Sequence, residues 1–202
     1  MIKYFERLLN IIDDSLHSID EKVFGELVDD CVAALRGGKK IIVSGLGKNV
    51  PICEKFVGSM VSLGLNAFFL HTNSAVHGDM GIIKDGDIVI ILTKSGSTEE
   101  SVYLTRKIKD RASIQWLVTF EEASILAKEI EKKLVIHLEH EGDLWNIMPN
   151  NSTTLNLIVL QAVVMQIAEK MNLTIDDFKK NHPGGRIGEL LKENTEGQRL
   201  YG

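Results

Sequence analysis

The stretch that decides the fold is Ile88-Val89-Ile90-Ile91-Leu92-Thr93-Lys94-Ser95-Gly96-Ser97-Thr98-Glu99-Glu100. Its first five residues are apolar without alternation, which is typical of a strand buried on both faces. The polar segment that follows contains one glycine and ends in two acidic residues, which are favoured in the first turn of a helix. A buried strand that leads directly into a helix is the repeating unit of a parallel sheet. The stretch therefore predicts an α/β fold.

The same alternation of short apolar runs and helical stretches extends in both directions. Further strands are predicted at Ile41–Val43, Ala67–Leu70, Ile114–Val118 and Leu134–Leu138. The helical stretches between and after the strands are Pro51–Leu63, Thr98–Lys109, Glu121–Glu131 and Thr153–Met171. Buried strands that alternate with helices predict a three-layer αβα sandwich, in which helices cover both faces of a parallel sheet.

The two ends of the chain are predicted to be helical. Apolar residues recur at helical spacing from residue 4 to residue 35, which indicates two amphipathic helices broken near Ser18–Asp20 and ended by Gly37-Gly38. Short helices are predicted near Ile175–Lys180 and Ile187–Lys192, on either side of His182-Pro183-Gly184-Gly185. We predict one domain over residues 1–202, with N-terminal helices at 1–36 and a C-terminal helical tail at 172–202.

Composition and charge limit the partners that the chain can have. The net charge of −5 disfavours a general nucleic-acid binder, because affinity for phosphate backbones comes from clustered Lys and Arg. The N-terminus is charged and amphipathic, unlike a signal peptide, and the apolar run 155–168 is too short to span a bilayer. Cys31 and Cys53 are predicted to be buried thiols of a reducing compartment. We expect a cytoplasmic protein without a nucleic-acid or membrane partner.

The loops at the carboxyl ends of parallel strands are where ligands bind in such sheets. After the first strand, Gly45 and Gly47 suggest a dinucleotide site, but the third glycine of that motif would fall on Val50. A phosphate-loop NTPase would need glycine at position 42 and Ser or Thr at position 49, where this chain has Ile and Asn. Neither nucleotide motif fits. What remains is a tight turn that presents Lys48 beside a helix, or a plain surface lysine.

The loop after the third strand offers four hydroxyls around one glycine, at Thr93, Ser95, Ser97 and Thr98. Side-chain donors and free backbone N–H groups converge at such a position, where a phosphate monoester can bind without a metal. The alternative is an ordinary helix N-cap, which needs one hydroxyl. The number of hydroxyls favours the phosphate site.

Two further segments contain groups that transfer protons. The polar loop 71–81 contains His77 and Asp79, and His182 precedes a rigid proline and two glycines, a sequence suited to holding its ring in a loop. A zinc site built from His71, His77, Asp79 and His182 is an alternative, but it would need these ligands at workable spacing. We expect no metal.

Taken in order, these segments resemble the sugar-isomerase (SIS) domain family, and most closely its arabinose-5-phosphate isomerases. The matching segments are GLGK at 45–48, FFLH at 68–71, HGDMG at 77–81, KSGSTEE at 94–100, PNNSTT at 149–154 and NHPGGRIG at 181–188. The resemblance implies a five-stranded parallel sheet, no metal or nucleotide cofactor, and a homodimer or homotetramer with shared active sites.

The resemblance also implies which residues form the site. The residues that correspond to catalytic or substrate-contacting positions are Lys48, His77, Glu100, Glu141 and His182. The candidate phosphate-binding set comprises the hydroxyl residues and glycines of the two loops and one asparagine, namely Ser44, Gly45, Gly47, Asn49, Thr93, Ser95, Gly96, Ser97 and Thr98. The chain departs from the family at Asn49-Val50, Ser74 and Asn150-Asn151, so the sugar can differ from arabinose 5-phosphate. Many relatives also have a pair of CBS domains, and we expect this chain to lack that module.

The function predicted from these residues is aldose–ketose isomerisation of a phosphorylated sugar through an enediol. In this hypothesis Glu100 or Glu141 moves the C1/C2 proton, His182 or His77 opens the sugar ring, and Lys48 holds the enediolate or the phosphate. Two alternatives stay open. A sensor of the same fold would bind a sugar phosphate without turnover, and a lyase of the same fold would cleave a phosphosugar.

Overall fold

A computed structural model describes residues 2–111 and 113–193 of the chain. The nine α-helices of this part are α1 (Ile2–His17), α2 (Glu21–Arg36), α3 (Val50–Ser62), α4 (Thr72–Ala75), α5 (Glu99–Ile108), α6 (Ile125–Glu129), α7 (Asn151–Lys170), α8 (Ile175–Lys180) and α9 (Gly185–Glu193). The five strands are β1 (Ile41–Gly45), β2 (Ala67–Phe69), β3 (Ile88–Leu92), β4 (Ile114–Thr119) and β5 (Lys132–Val135). Residues 194–202 of the predicted C-terminal tail lie outside the described residues.

The strands form one parallel sheet in the order β2-β1-β3-β4-β5. Side chains alternate between its faces, so neighbouring residues of one strand enter different cores. Ile41 and Val43 belong to the core beneath α2, α3 and α7, whereas Ile42 belongs to the core beneath α5 and α6. Both faces are therefore buried, and the predicted αβα sandwich with a five-stranded parallel sheet is confirmed.

Most of the predicted elements are present, and α6 and β5 show the largest differences in their bounds. The helix predicted over Glu121–Glu131 is present but shorter, over Ile125–Glu129, because a turn occupies the first residues of the predicted range. Thr119 Oγ1 accepts the N–H of Glu121 and a Glu121 side-chain oxygen accepts the N–H of Ala123, at 3.3 and 3.1 Å. Helix α6 begins after Ser124, whose hydroxyl caps it, and β5 follows two residues earlier than predicted. These local side-chain bonds compete with helix formation.

The apolar run near residue 160 lies in α7. This helix has 20 residues, enough by length and composition to cross a membrane, yet half of its most apolar window is buried within the protein. It packs against α1, α2 and α3, and its buried side chains join the larger core. The apolar character of α7 is thus explained by its place in the core.

Both cysteines are buried free thiols, as predicted. Cys31 lies in α2 and Cys53 in α3, and both belong to the larger core. Burial raises the pKa of the Cys53 thiol to about 12, and it raises the pKa of Cys31 further. Both groups are therefore protonated, unreactive core residues.

The strand order creates a topological switch point between β1 and β3. The chain leaves β1 through α3 towards β2 on one side, and it leaves β3 through α5 towards β4 on the other. The two strands are neighbours in register, with Gly45 opposite Leu92 at their carboxyl ends. Because the connections diverge, a crevice opens between the loops 46–49 and 93–98, where ligands of open α/β sheets bind.

Candidate functional site

A pocket of about 370 Å³ occupies this crevice, and we call it the switch-point pocket. The loops after β1 and β3 supply most of its lining, and Pro149, just before α7, adds to it. The predicted site residues that line it are Gly47, Lys48, Asn49, Thr93, Ser95 and Thr98. The structure therefore brings together most of the candidate phosphate-binding set.

Hydrogen bonds within the loop after β3 give it a defined shape. Thr93 Oγ1 accepts the N–H of Gly96 at 3.3 Å, and Ser95 Oγ accepts the N–H of Ser97 at 3.3 Å. Gly96 has φ +58°, in the left-handed region that glycine adopts without strain. The loop thereby turns sharply, and the hydroxyls of Ser95 and Thr98 come within 3.4 Å of each other.

The N-terminus of α5 is open. The first amides of an α-helix have no acceptor within the helix, and the N-cap residue Thr98 makes no capping bond with its side chain. These amides follow the loop whose Ser95 and Thr98 line the switch-point pocket. A helix N-terminus with adjacent hydroxyl donors suits a phosphate group, which would supply the missing acceptors.

Gly96→Ala should disrupt this loop. A Cβ at position 96 would lie 2.1 Å from Ser124 Oγ and 3.3 Å from Thr119 Oγ1. The strain of a left-handed alanine and the overpacking together should lower the free energy of unfolding by about 2–4 kcal/mol. Thermal unfolding checks this. The matched control is Gly58→Ala in α3, where a Cβ meets no atom within 4 Å and should stabilise the helix. Equal melting temperatures for the two variants would contradict the prediction.

The loop after β1 places Lys48 and Asn49 on the opposite wall of the pocket. Gly47 has φ +58° and begins a short 3₁₀ turn, Gly47–Asn49, that exposes the Lys48 side chain. The Oδ1 atom of Asn49 accepts a 3.0 Å hydrogen bond from Nδ2 of Asn156, a buried residue of α7. This bond fixes the Asn49 carboxamide and leaves its own NH₂ group as a donor.

Two residues of the candidate phosphate-binding set lie behind the pocket. Ser44 is fully buried, and its hydroxyl is 3.1 Å from that of Thr72 in α4. Gly45 is buried at the end of β1, where a Cβ would lie 3.0 Å from Asn49 Cβ and from Cys53 Sγ. Neither residue lines the switch-point pocket, so both are placed to support the loops that do.

A second, larger pocket of about 750 Å³ lies on the other side of the loop after β3, between α4 and α5. We call it the α4–α5 pocket. It contains two predicted catalytic residues, His77 and Glu100, together with Ser97. Both His77 and Glu100 are exposed. Two of the four side chains predicted to transfer protons, His77 and Glu100, therefore lie next to the loop that is predicted to bind phosphate, on its other side.

Glu141, the second candidate carboxylate, is in a different environment. It is fully buried, and its Oε2 atom accepts the N–H groups of Asn150 and Ser152 at 3.0 and 2.9 Å. Its Oε1 atom is 2.6 Å from Nζ of Lys94. Burial alone would raise the pKa of this carboxyl, but the hydrogen bonds from Lys94 and Ser152 outweigh burial and lower it. Glu141 is therefore an ionised cap on the N-terminus of α7.

This carboxylate should make stability depend on pH. Because its folded pKa is below the ordinary value of about 4.3, Glu141 stabilises the fold above that value, and the contribution disappears as pH falls through the folded pKa. Glu141→Gln should cost about 1.5–3 kcal/mol at neutral pH through weakened bonds to a charged group. Urea unfolding of the wild type and the variant over a pH series checks this. A difference that persists unchanged into strong acid would contradict it.

His182 lies far from both pockets within one chain. Its ring stacks on Phe178, with the centroids 3.9 Å apart, and its Nδ1 is 2.8 Å from the carbonyl oxygen of Phe178. The preceding residue, Asn181, donates to the carbonyl of Ser62 at the end of α3. Since α3 starts beside Lys48 and has 13 residues, it separates the two ends by about 20 Å. The strands have the switch-point pocket at their carboxyl ends. His182 is thus near their opposite, amino-terminal ends.

Within residues 2–111 and 113–193, no three His, Cys, Asp or Glu side chains are placed to hold a metal ion together. His71, one member of the alternative zinc set, instead caps α4, where its Nδ1 accepts the N–H of Asn73 at 3.3 Å. His182, another member of that set, instead stacks on Phe178.

The sequence prediction did not include two residues that belong to this site. Lys94 lines the switch-point pocket and pairs with Glu141, and Asn156 holds Asn49. The available signal for Lys94 was its position between two predicted phosphate-binding hydroxyls. Asn156 was visible as a polar residue inside an apolar helix, although nothing in the sequence indicated its partner.

Comparison with known proteins agrees with this geometry. The SIS domain model matches residues 34–166. The arabinose 5-phosphate isomerase KdsD of Pseudomonas aeruginosa is 33% identical over 95% of this chain and 59% of its own length. KpsF of Escherichia coli, an arabinose 5-phosphate isomerase, is 32% identical over 75% of this chain and 48% of its own.

Among solved structures, c3406 of E. coli CFT073 in complex with arabinose 5-phosphate superimposes with a TM-score of 0.81. It is 28% identical, and the match covers 90% of this chain and 95% of that one. The chain spans a little under three fifths of the length of the KdsD relative. The SIS domain model covers well over half of the sequence, and the solved structure has the same fold as this chain. This chain is a member of the SIS domain family.

Proposed function

We propose that this chain is a cytoplasmic aldose–ketose isomerase of a phosphorylated sugar, which interconverts arabinose 5-phosphate and ribulose 5-phosphate or a closely similar pair. The observation that carries the proposal is the open N-terminus of α5, which has the hydroxyls of Ser95 and Thr98 on one side and the exposed Glu100 carboxylate on the other. The names of KdsD and KpsF and the arabinose 5-phosphate bound to c3406 support the choice of sugar.

Phosphate binding positions the sugar in this mechanism. The phosphate accepts hydrogen bonds from the first amides of α5 and from Ser95 and Thr98, and Lys48 contributes a positive charge from the other wall. This arrangement needs neither a metal nor a nucleotide. Binding energy from the phosphate then holds the carbon chain in a fixed geometry relative to the proton-transfer groups.

Glu100 is the group best placed to move the proton between C1 and C2. Its side chain is exposed in the α4–α5 pocket beside His77, whereas both oxygens of Glu141 already have partners. As a general base Glu100 takes the C2 proton of the aldose, which gives an enediol, and it then returns the proton to C1 of the ketose. His77 transfers the hydroxyl proton between O2 and O1, so the reaction is balanced without a co-reactant.

His182 can take part in the proposed site only if a second copy of the chain supplies it. His182 is about 20 Å from Lys48 in the same chain, as the length of α3 sets it. We propose that a homodimer or homotetramer brings His182 of one copy to the pockets of another, where it opens the sugar ring.

Exposed apolar side chains support association of the chain with itself. Leu144 and Trp145 are 90% and 67% exposed, and Ile147 and Met148 of the same loop are exposed as well. Tyr4 of α1 donates to the carbonyl of Gly142, which joins this loop to the exposed apolar face of α1. Several exposed apolar side chains on two segments that contact each other are typical of a protein–protein interface.

A panel of pentose and hexose phosphates in D₂O tests the proposed function by NMR. Interconversion of an aldose and a ketose, with deuterium entering at C1 or C2, is the expected result. A sensor would bind a phosphosugar with neither interconversion nor exchange, and a lyase would release a cleaved product. Either outcome would replace the isomerase proposal.

A further inference from the structure

Lys94 is a second lysine that lines the switch-point pocket. It belongs to the loop 93–98, whose hydroxyls are proposed to bind phosphate. It follows Thr93 at the end of β3, and its side chain is 42% exposed. Its ammonium is 2.6 Å from Glu141 Oε1. Lysine has three N–H donors, so this ion pair leaves two of them available to a ligand.

Both ends of Lys94 are anchored. Its carbonyl oxygen accepts the N–H of Phe120 and the hydroxyl of Thr119, each at 3.1 Å, which fixes the backbone on β4. The ion pair with Glu141 fixes the other end of the side chain. A flexible lysine normally loses considerable side-chain entropy when it binds a ligand. Because Lys94 is already held in place in the folded protein, it loses less entropy on binding.

Glu141 reaches the pocket only through Lys94. The Glu141 side chain is fully buried and does not line the switch-point pocket, and its second oxygen is bonded to the N-terminus of α7. In contrast, the side chain of Thr98, the N-cap residue of α5, makes no capping bond. The protein therefore provides its own anion at α7 and leaves the position at α5 to an external one.

We propose that Lys94 contacts the phosphate group of the substrate directly and that Glu141 is a positioning residue that holds Lys94 in place. The inference rests on the proposed function and names a further binding residue of that site. Two lysines, Lys48 and Lys94, then face a phosphate dianion in a chain whose net charge is −5. Together they supply the positive charge that the overall composition lacks.

The alternative is that Lys94 only neutralises the buried Glu141. The two roles separate in a Glu141→Gln background, where no buried carboxylate needs a counter-charge. Lys94→Met in that background should still raise the Kd for inorganic phosphate by about 10- to 100-fold, the value of one hydrogen bond to a charged group. An unchanged Kd would show that Lys94 only neutralises, and the proposal would be wrong. Lys84→Met, at an exposed lysine before β3, is the matched control and should leave the Kd unchanged.

A second measurement uses the wild-type chain, in case the double variant does not fold. Lysines labelled with ¹⁵N give an Nζ signal for Lys94, assigned by its absence in Lys94→Arg. Addition of inorganic phosphate should shift this signal, and a signal that stays in place at saturation would overturn the proposal. Turnover of phosphosugars is measured in parallel. A wild type that binds phosphate without turnover would contradict the proposed function and still leave the role of Lys94 decided.

Discussion

We expect Glu100→Gln to lower the turnover number for a phosphosugar by about 10²–10⁴-fold. The Kd for the same phosphosugar should hardly change. Glutamine keeps the size of the side chain and removes the base. Glu100 is the second residue of α5, so its own amide belongs to the proposed phosphate site while its side chain lies in the α4–α5 pocket. Turnover assays quenched at fixed times measure the turnover number, and calorimetry measures the Kd separately.

The matched control is Glu122→Gln, which removes an exposed carboxylate from the turn before α6. It should change neither turnover nor affinity. Glu141→Gln provides the comparison within the site, because a positioning role predicts a much smaller loss of turnover than the loss of a base. If Glu141→Gln abolished turnover and Glu100→Gln did not, the assignment of the base would have to be exchanged.

The sheet could be predicted from the sequence because its strands are buried on both faces. Runs such as Ile88–Leu92 contain no polar residue, so their burial does not depend on which neighbour covers them. The observed bounds of this strand are those predicted. Helix α6 was less predictable, because Thr119, Glu121 and Ser124 form local hydrogen bonds that shorten it. Helical periodicity does not record such bonds.

The shape and position of the loop after β3 were predictable for a similar reason. Its hydroxyls and glycine are contiguous in sequence, and the carboxyl end of a parallel strand sets where they lie. Thr93 and Gly96 are bonded to each other within the loop, so the local sequence alone accounts for its shape. The same holds for the turn at Gly47 that exposes Lys48.

The ion pair between Lys94 and Glu141 could not be predicted, because 47 positions in the sequence separate its two residues and only the tertiary fold joins them. The same is true of Asn49 and Asn156, which belong to different elements. Motif spacing identifies residue types and leaves open which side chains are buried. Two carboxylates that were equivalent in sequence, Glu100 and Glu141, are thus distinguished by their exposure in the folded chain.

The second large effect is a loss of turnover in variants of the site that two copies of the chain would share. Lys48→Ala and His182→Ala should each lower turnover strongly when assayed alone, with a loss of general acid–base catalysis of about 10²–10⁴-fold for His182. The His182 loss should be smaller on a ketopentose 5-phosphate, which stays open because its C5 oxygen is esterified. The loss of turnover should differ between the two substrates because the proposed role of His182 is to open the ring.

Mixing the two variants separates a shared site from one formed within a single chain. The variants are unfolded together in urea in equal amounts and refolded, so that their subunits combine at random. If each site takes Lys48 from one copy and His182 from another, about one site in four receives both wild-type residues, whatever the size of the symmetric oligomer. We therefore expect the inactive variants to regain about one quarter of the wild-type activity on mixing.

A site formed within one chain predicts no recovery, because every chain in the mixture lacks either Lys48 or His182. Wild type diluted with an equal amount of refolded Lys48→Ala controls for losses during refolding. Mixing without unfolding gives the rate at which subunits exchange. Activity that stays at the level of the separate variants, although the mass of the oligomer shows that the two kinds of chain have combined, would contradict a site shared between copies. Since α3 keeps Lys48 and His182 of one chain about 20 Å apart, recovery on mixing is the outcome that the fold favours.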